Sequence, residues 1–175
     1  MRYSGIILIL AFLVGCKSET PKKNTPDVYF DLKTYFENEA ARLQSVNPAI
    51  EKTVSRNSVK QNKKIANIDW KAELSLFTAS DINKPSWKDS YQKIQNDSGL
   101  IYKALDSALR TREIEIYKTN EGTIKAIKIQ NQTVNRLYQS FENLLYIPDS
   151  LYQVNKKQHV LIIGENDYLI KGRFR

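Results

Sequence analysis

Thr111-Arg112-Glu113-Ile114-Glu115-Ile116-Tyr117-Lys118 is the stretch that decides the fold. Its apolar and charged residues alternate with a period of two. Successive side chains of a strand point to opposite faces, so Ile114 and Ile116 share one face while Glu113 and Glu115 take the other. A strand with one apolar and one charged face belongs to a sheet that is buried on one side and wet on the other. The same alternation returns in 167–174, where Tyr168, Ile170 and Phe174 oppose Lys171 and Arg173. Working outward, strands are predicted at 91–96, 100–106, 111–118, 123–130, 134–146, 151–155, 159–164 and 167–174. Turn signals separate them at Asp97-Ser98-Gly99, Asn120-Glu121-Gly122, Pro148-Asp149 and Glu165-Asn166-Asp167. These connections are too short for parallel crossovers, so the sheet is predicted to be an antiparallel meander. Val160-Leu161-Ile162-Ile163 is apolar on both faces and is predicted to be a central strand. Tyr117, Tyr138, Tyr146, Tyr152 and Tyr168 suit half-buried sheet positions.

Upstream the period changes. Tyr29, Leu32, Phe36, Ala40 and Leu43 follow one another at spacings of 3, 4, 4 and 3, which is one face of a helix. Thr25-Pro26 reads as its cap and first turn, and Asn47-Pro48 as its stop. Glu51 to Asn67 is polar and only weakly periodic, a long exposed loop or a hairpin with Lys52–Ser55 as a short edge strand. Lys60, Lys63 and Lys64 form the densest basic cluster. Asp69 caps a second predicted helix through Ala79, with Trp70, Leu74 and Phe77 on one side. Ser80 to Asp89 is broken by Pro85, with Trp87 packed beneath it. Together these readings predict a single α+β domain over 25–175, its helical part about 25–89 packed on an antiparallel sheet of about 90–175.

The first residues have the layout of an export signal. Arg2 is the charged start, Ile6 to Val14 the apolar run and Gly15 the small residue before a peptidase cut. An apolar run of about nine residues falls short of the roughly 20 that a spanning helix needs. Leu13-Val14-Gly15-Cys16 resembles the lipobox of bacterial lipoproteins. The resemblance implies a signal peptide over 1–15, cleavage between Gly15 and Cys16, and a diacylglyceryl group on the Cys16 thiol. Buried acyl methylenes contribute about 0.8 kcal/mol each, and two or more chains anchor stably. Residues 16–24 then comprise the acylated cysteine and a polar tether, which carries no apolar residue over Lys17–Asn24 and is predicted to be disordered. Lys17, in place of an aspartate after the cysteine, makes the resemblance point to the outer membrane. Ser80 to Tyr91 is similar to a stretch of uncharacterised flavobacterial-type lipoproteins. That resemblance implies a family and no catalytic residue.

The formal net charge is +8 with one cysteine and one histidine. A lone cysteine forms no disulfide within the chain, so the domain stands on its core. Export argues against nucleic acid, which leaves lipid headgroups and other anionic envelope surfaces as counter-ions. His159 lies beside an apolar run and far from any cysteine, and a zinc site of the usual spacing cannot be built around it. There is no Gly-x-Ser-x-Gly elbow and no phosphate-cradling glycine loop. Glu113 and Glu115, about 7 Å apart along one strand, are the one carboxylate pair that a glycosidase mechanism could use. The sequence thus reads as a lipid-anchored cell-envelope protein without catalytic residues or cofactor, an interaction or assembly module. It is attached to the membrane through its lipid and meets a protein partner or an anionic envelope surface. The two other readings are a binder of an apolar ligand inside a curved sheet and a carbohydrate-acting enzyme.

Overall fold

The computed structural model describes residues 28–97 and 99–175. Gly15, Cys16, the tether and Thr25-Pro26 lie outside the described residues, but the first helix begins only at Leu32 with Asp31 as its cap, so Thr25-Pro26 does not start it and Tyr29 precedes it. The chain begins with α1 (Leu32–Val46) and a hairpin of β1 (Ile50–Arg56) and β2 (Val59–Ile65). Two single helical turns follow, α2 (Trp70–Glu73) and α3 (Ser75–Thr78), then a 3-10 turn at Pro85–Trp87. Seven strands complete it: β3 (Tyr91–Asn96), β4 (Gly99–Ala104), β5 (Thr111–Lys118), β6 (Ile124–Val134), β7 (Tyr138–Ile147), β8 (Leu151–Val160) and β9 (Gly164–Phe174). All nine strands form one antiparallel sheet in the order β2-β1-β9-β8-β7-β6-β5-β4-β3. From β3 to β9 this is the predicted antiparallel meander, but in seven strands instead of eight, because β8 runs unbroken from Leu151 through Val160. The early hairpin then adds to it through β1, which pairs with β9 from Ile50↔Phe174 to Arg56↔Tyr168.

Among the described residues 52% are strand and 18% helix, so the fold is mainly β, and the α+β expectation holds only in its coarser part, helices beside an antiparallel sheet. The segment expected to be helical contains the β1–β2 hairpin. Its turn is Asn57-Ser58, both with positive φ, the backbone that a two-residue hairpin loop needs. Lys52–Ser55 is not an edge strand, because β1 lies between β2 and β9 and β2 forms the edge. Alternation sends Lys63 to one face of β2 and Lys60 and Lys64 to the other, so the basic cluster is no patch. Lysines on an exposed edge strand instead discourage pairing with a second chain. The helix expected through Ala79 is two turns, because Leu74 leaves helical geometry at φ −93°, ψ 7°. The strand expected over 134–146 is divided by a turn, and that over 159–164 is replaced by the β8–β9 turn.

Local chemistry explains the elements that match. Asp31 accepts a hydrogen bond from the Thr34 amide at 2.8 Å and so caps α1. Asn47 ends the helix in the left-handed region and donates its amide to the Leu43 carbonyl. Asp69 caps α2 through the Ala72 amide. Leu32, Phe36, Ala40 and Leu43 are the buried face of α1.

That face meets the sheet through aromatic rings. Phe36 lies 4.9 Å from Phe77 and 5.2 Å from Tyr146 between centroids. Trp70 stacks on Phe174 at 5.4 Å and meets Tyr152 edge-on at 6.0 Å. Such pairs add about 0.5–1.5 kcal/mol each beyond the area that they bury. The tyrosine hydroxyls find carboxylates on the helices. Tyr146 donates to Glu39, and Tyr152 donates to Glu73 at 2.8 Å, whose second oxygen accepts from Lys52 at 2.6 Å. Burial pushes both phenols up, and the neighbouring carboxylates add to it. Burial alone would raise the Glu39 carboxyl as well, but hydrogen bonds from Arg42 and Tyr146 hold it below its usual value.

Gly172 makes this arrangement possible. It faces Tyr152 across the β8–β9 ladder, and a Cβ on it would come within 2.2 Å of the ring. Overpacking a fitted contact typically costs about 1–3 kcal/mol. Gly172→Ala should therefore lower unfolding stability by about 1–3 kcal/mol in urea denaturation. Full stability would mean that the ring does not lie on this glycine.

Candidate functional site

The helices cover only part of the inner sheet face. On β7 the inward residues run Tyr146, Leu144, Glu142, Ser140 and Tyr138. The first two are buried beneath aromatic and aliphatic neighbours, and the next ones are polar. β6 changes in the same way from Ile127 and Ile129 to Asn131 and Thr133, and β8 from Tyr152 and Val154 to Lys156 and Gln158. The apolar core therefore ends at a polar band across the middle strands. Glu142 lies at its centre, with Arg110 at 2.7 Å and Lys156 at 3.3 Å. Asn131 donates to Ser80 at 2.8 Å, which ties the band to the end of α3. Burial would lower the Lys156 ammonium, but its hydrogen bond with Tyr138 and the charge of Glu142 outweigh this and raise it. Glu142 is thus held between two partly exposed cations, while the buried Asn131 Oδ1 and Ser140 Oγ have no hydrogen-bond partner among the described residues.

Beyond the band the strands end in turns that lie side by side. β1 turns into β2 at 57–58, β8 into β9 at 161–163, β6 into β7 at 135–137, and β4 reaches β5 through 105–110. Backbone hydrogen bonds join two of these turns to each other and tie a third to β9. The Leu161 amide donates to the Leu137 carbonyl at 3.0 Å, and the Asn57 amide to the Asp167 carbonyl at 2.9 Å. Seven of the eleven exposed large apolar side chains among the described residues lie at this end. Ile162 is 92% exposed, Ile163 71%, and Leu161 and Leu137 64% each. Val59 and Leu105 flank them, with Val134 at the end of β6. The turns at the opposite end, 119–123 and 148–150, carry none of these residues. Single exposed apolar residues need no explanation, whereas a contiguous set marks a contact surface. Arg136, Lys157, Arg56 and Lys60 stand beside the apolar tips, with Asp106, Glu165 and Asp167 at the same end.

The predicted central strand Val160–Ile163 is therefore the tip of a hairpin. Val160 pairs with Gly164, and that glycine takes φ +87° to turn the chain. Four consecutive apolar residues have no alternation to show which face is buried. The signal that locates the turn is Gly164, one position after the run.

The other candidate residues are not brought together. Glu113 and Glu115 point to the outer face, 3.7 Å from Lys103 and 3.8 Å from Lys128 respectively. His159 lies three strands away on β8, 3.9 Å from Glu165. Among the described residues no group of three histidine, cysteine or acidic side chains is placed to hold a metal. No described helix is long and apolar enough to cross a membrane. An open groove of about 790 Å³ runs between α1 and the α2–α3 turns, floored by Phe36 and Ala40 and rimmed by Lys33, Glu37 and Lys71. No protein-family model matches the chain, and no curated protein and no solved structure matches it either.

A tip and a central strand respond differently to the same substitution. Replacing Leu161, Ile162 and Ile163 together by serine should change unfolding stability by no more than about 0.5 kcal/mol per site, the usual range for exposed positions. In a central strand each loss would approach the roughly 1.5–3 kcal/mol of a buried aliphatic side chain. Urea denaturation of the triple variant distinguishes the two.

Proposed function

We propose that this chain is a lipid-anchored cell-envelope lipoprotein that acts as a non-enzymatic interaction module through the apolar end of its sheet. Residues 1–15 are its signal peptide, Gly15–Cys16 the cleaved bond and Cys16 the acylated residue. Lys17 favours the outer membrane. The single observation that carries the contact role is the clustering of exposed aliphatic side chains on adjoining turns at one end only. Exposing such side chains to water is unfavourable by an amount proportional to their area. A partner that covers them recovers that free energy without any change in the fold.

The other two readings have less support. A carrier of an apolar ligand needs an enclosed volume between helices and sheet, and that space is filled by Phe36, Phe77, Trp70, Tyr146 and Tyr152. The groove along α1 is the remaining place for an apolar ligand, and it is open. A glycosidase mechanism needs two carboxylates facing each other across a cleft. Glu113 and Glu115 are neighbours on one face of one strand, each with a lysine beside it.

The anchor is tested by mass spectrometry of the native protein. The expected result is a chain that begins at Cys16 and carries diacylglyceryl and acyl mass on that residue. A chain that retains residues 1–15 without acyl mass would overturn the anchor.

A further inference from the structure

We infer that the partner of the apolar sheet end is the bilayer itself, with Leu137, Leu161, Ile162 and Ile163 entering the headgroup–acyl boundary and Arg136 and Lys157 facing anionic headgroups. This inference rests on the contact role proposed above and names its partner.

The first argument is shape. The aliphatic side chains project from turn tips and not from a flat sheet face. Narrow tips can enter an interface that a broad face would have to displace. The second is backbone satisfaction. Unpaired amides and carbonyls are costly in hydrocarbon, so only a segment that bonds its own backbone can enter. At the β8–β9 tip the Leu161 amide bonds Leu137 and the Ile163 amide bonds Val160 at 3.1 Å, so this tip suits a shallow position. The third is where the chain arrives. Tyr29 packs against Tyr91 and Tyr102 and donates its hydroxyl to the Lys88 carbonyl at 2.6 Å. Tyr91 opens β3 and pairs with Ala104 at the end of β4, which is the same end of the sheet as the apolar tips. Cys16 precedes Val28 by twelve residues, a distance of at most about 43 Å at 3.6 Å per residue. A lipid on Cys16 and the apolar tips can therefore reach one plane together, and the anchor raises the local concentration of the tips at that plane. The fourth is charge. Arg56, Lys60, Arg136 and Lys157 outnumber Asp106, Glu165 and Asp167 at this end by one, and juxtamembrane lysines and arginines are attracted to anionic lipid.

The test uses Cys16 as the only thiol in the chain. The chain from Cys16 onward, which includes every described element, is coupled through that thiol to maleimide lipid in vesicles of phosphatidylcholine and phosphatidylglycerol. This coupling works whether or not the cell acylates Cys16, so failure of the anchor and failure of the tip contact are separate results. Amide exchange is compared with the same chain capped by a soluble maleimide. We expect exchange at 135–137 and 161–163 to slow about tenfold or more on the vesicles, with 119–123 unchanged. Ile162→Asp should abolish the slowing while leaving the thermal midpoint in solution unchanged. Equal exchange at both ends, or slowing that survives Ile162→Asp, would overturn the inference. Slowing that appears only after a second envelope protein is added would overturn it in favour of a protein partner. The same slowing on phosphatidylcholine alone would overturn the part assigned to Arg136 and Lys157.

Discussion

The contact between helix rings and sheet tyrosines is the constraint on which the rest of this structure depends. Phe36, Phe77 and Trp70 come from the helices, and Tyr146, Tyr152 and Phe174 from the last three strands. These rings decide which face of each strand is buried. Because side chains alternate, a slip of one residue would turn every buried ring outward and every outer charge inward. The aromatic layer therefore fixes the register of β7, β8 and β9 together. The hydroxyls of Tyr146 and Tyr152 then reach Glu39 and Glu73, which sets the helices along the strands as well as above them. Gly172 leaves room for Tyr152 to lie on the neighbouring strand, so one missing side chain supports the seam.

The placement of that layer also decides what is left uncovered. The helical rings reach only part of the way along the strands. The inner face turns polar at Asn131, Glu142 and Lys156, where the Glu142 carboxylate lies between Arg110 and Lys156. Past this band the strands continue into turns whose tips are exposed. Of the aliphatic residues at those turns Leu109 joins the core, whereas Leu105, Leu137, Leu161, Ile162 and Ile163 are exposed. Their concentration at one end, the end at which Tyr29 packs on Tyr91 at the start of β3, is the basis for proposing a surface that meets the membrane. Had the same residues been scattered over both ends, the ordinary occurrence of exposed apolar side chains would account for them.

Much of this was legible in the sequence, and the remainder was illegible for physical reasons. Leu32 through Leu43 gave the buried face of α1, because a 3.6-residue period appears directly in the spacing, while Tyr29 keeps the period but precedes the Asp31 cap. Asp69 and Asn47 gave a start and a stop, because their side chains and backbone preferences act locally. The alternation in 111–118 gave the orientation of β5 and the antiparallel meander. The β1–β2 hairpin was ambiguous, since Lys60, Lys63 and Lys64 lie on an edge strand whose two faces are both wet. Its attachment to β9 joins residues more than a hundred positions apart, and no local pattern encodes that pairing. The aliphatic run 160–163 does not reveal its turn, because continuous hydrophobicity fits a strand buried on both faces as well as it fits an exposed tip. A local rule failed there, and such places are often functional. Gly15 and Cys16 lie outside the described residues, so their part in the account rests on the lipobox resemblance and the proposal built on it.

The central claim is that the anchored domain meets the bilayer with its apolar end. A nitroxide attached to Ile162→Cys in the acylated protein, on native membranes, tests it most directly, because an acylated Cys16 leaves no competing thiol. Power-saturation accessibility should place that label with the lipid-soluble relaxant oxygen, whereas a label on Glu121→Cys at the opposite end should remain accessible to a water-soluble nickel chelate. Equal access of the chelate to both labels would contradict the account.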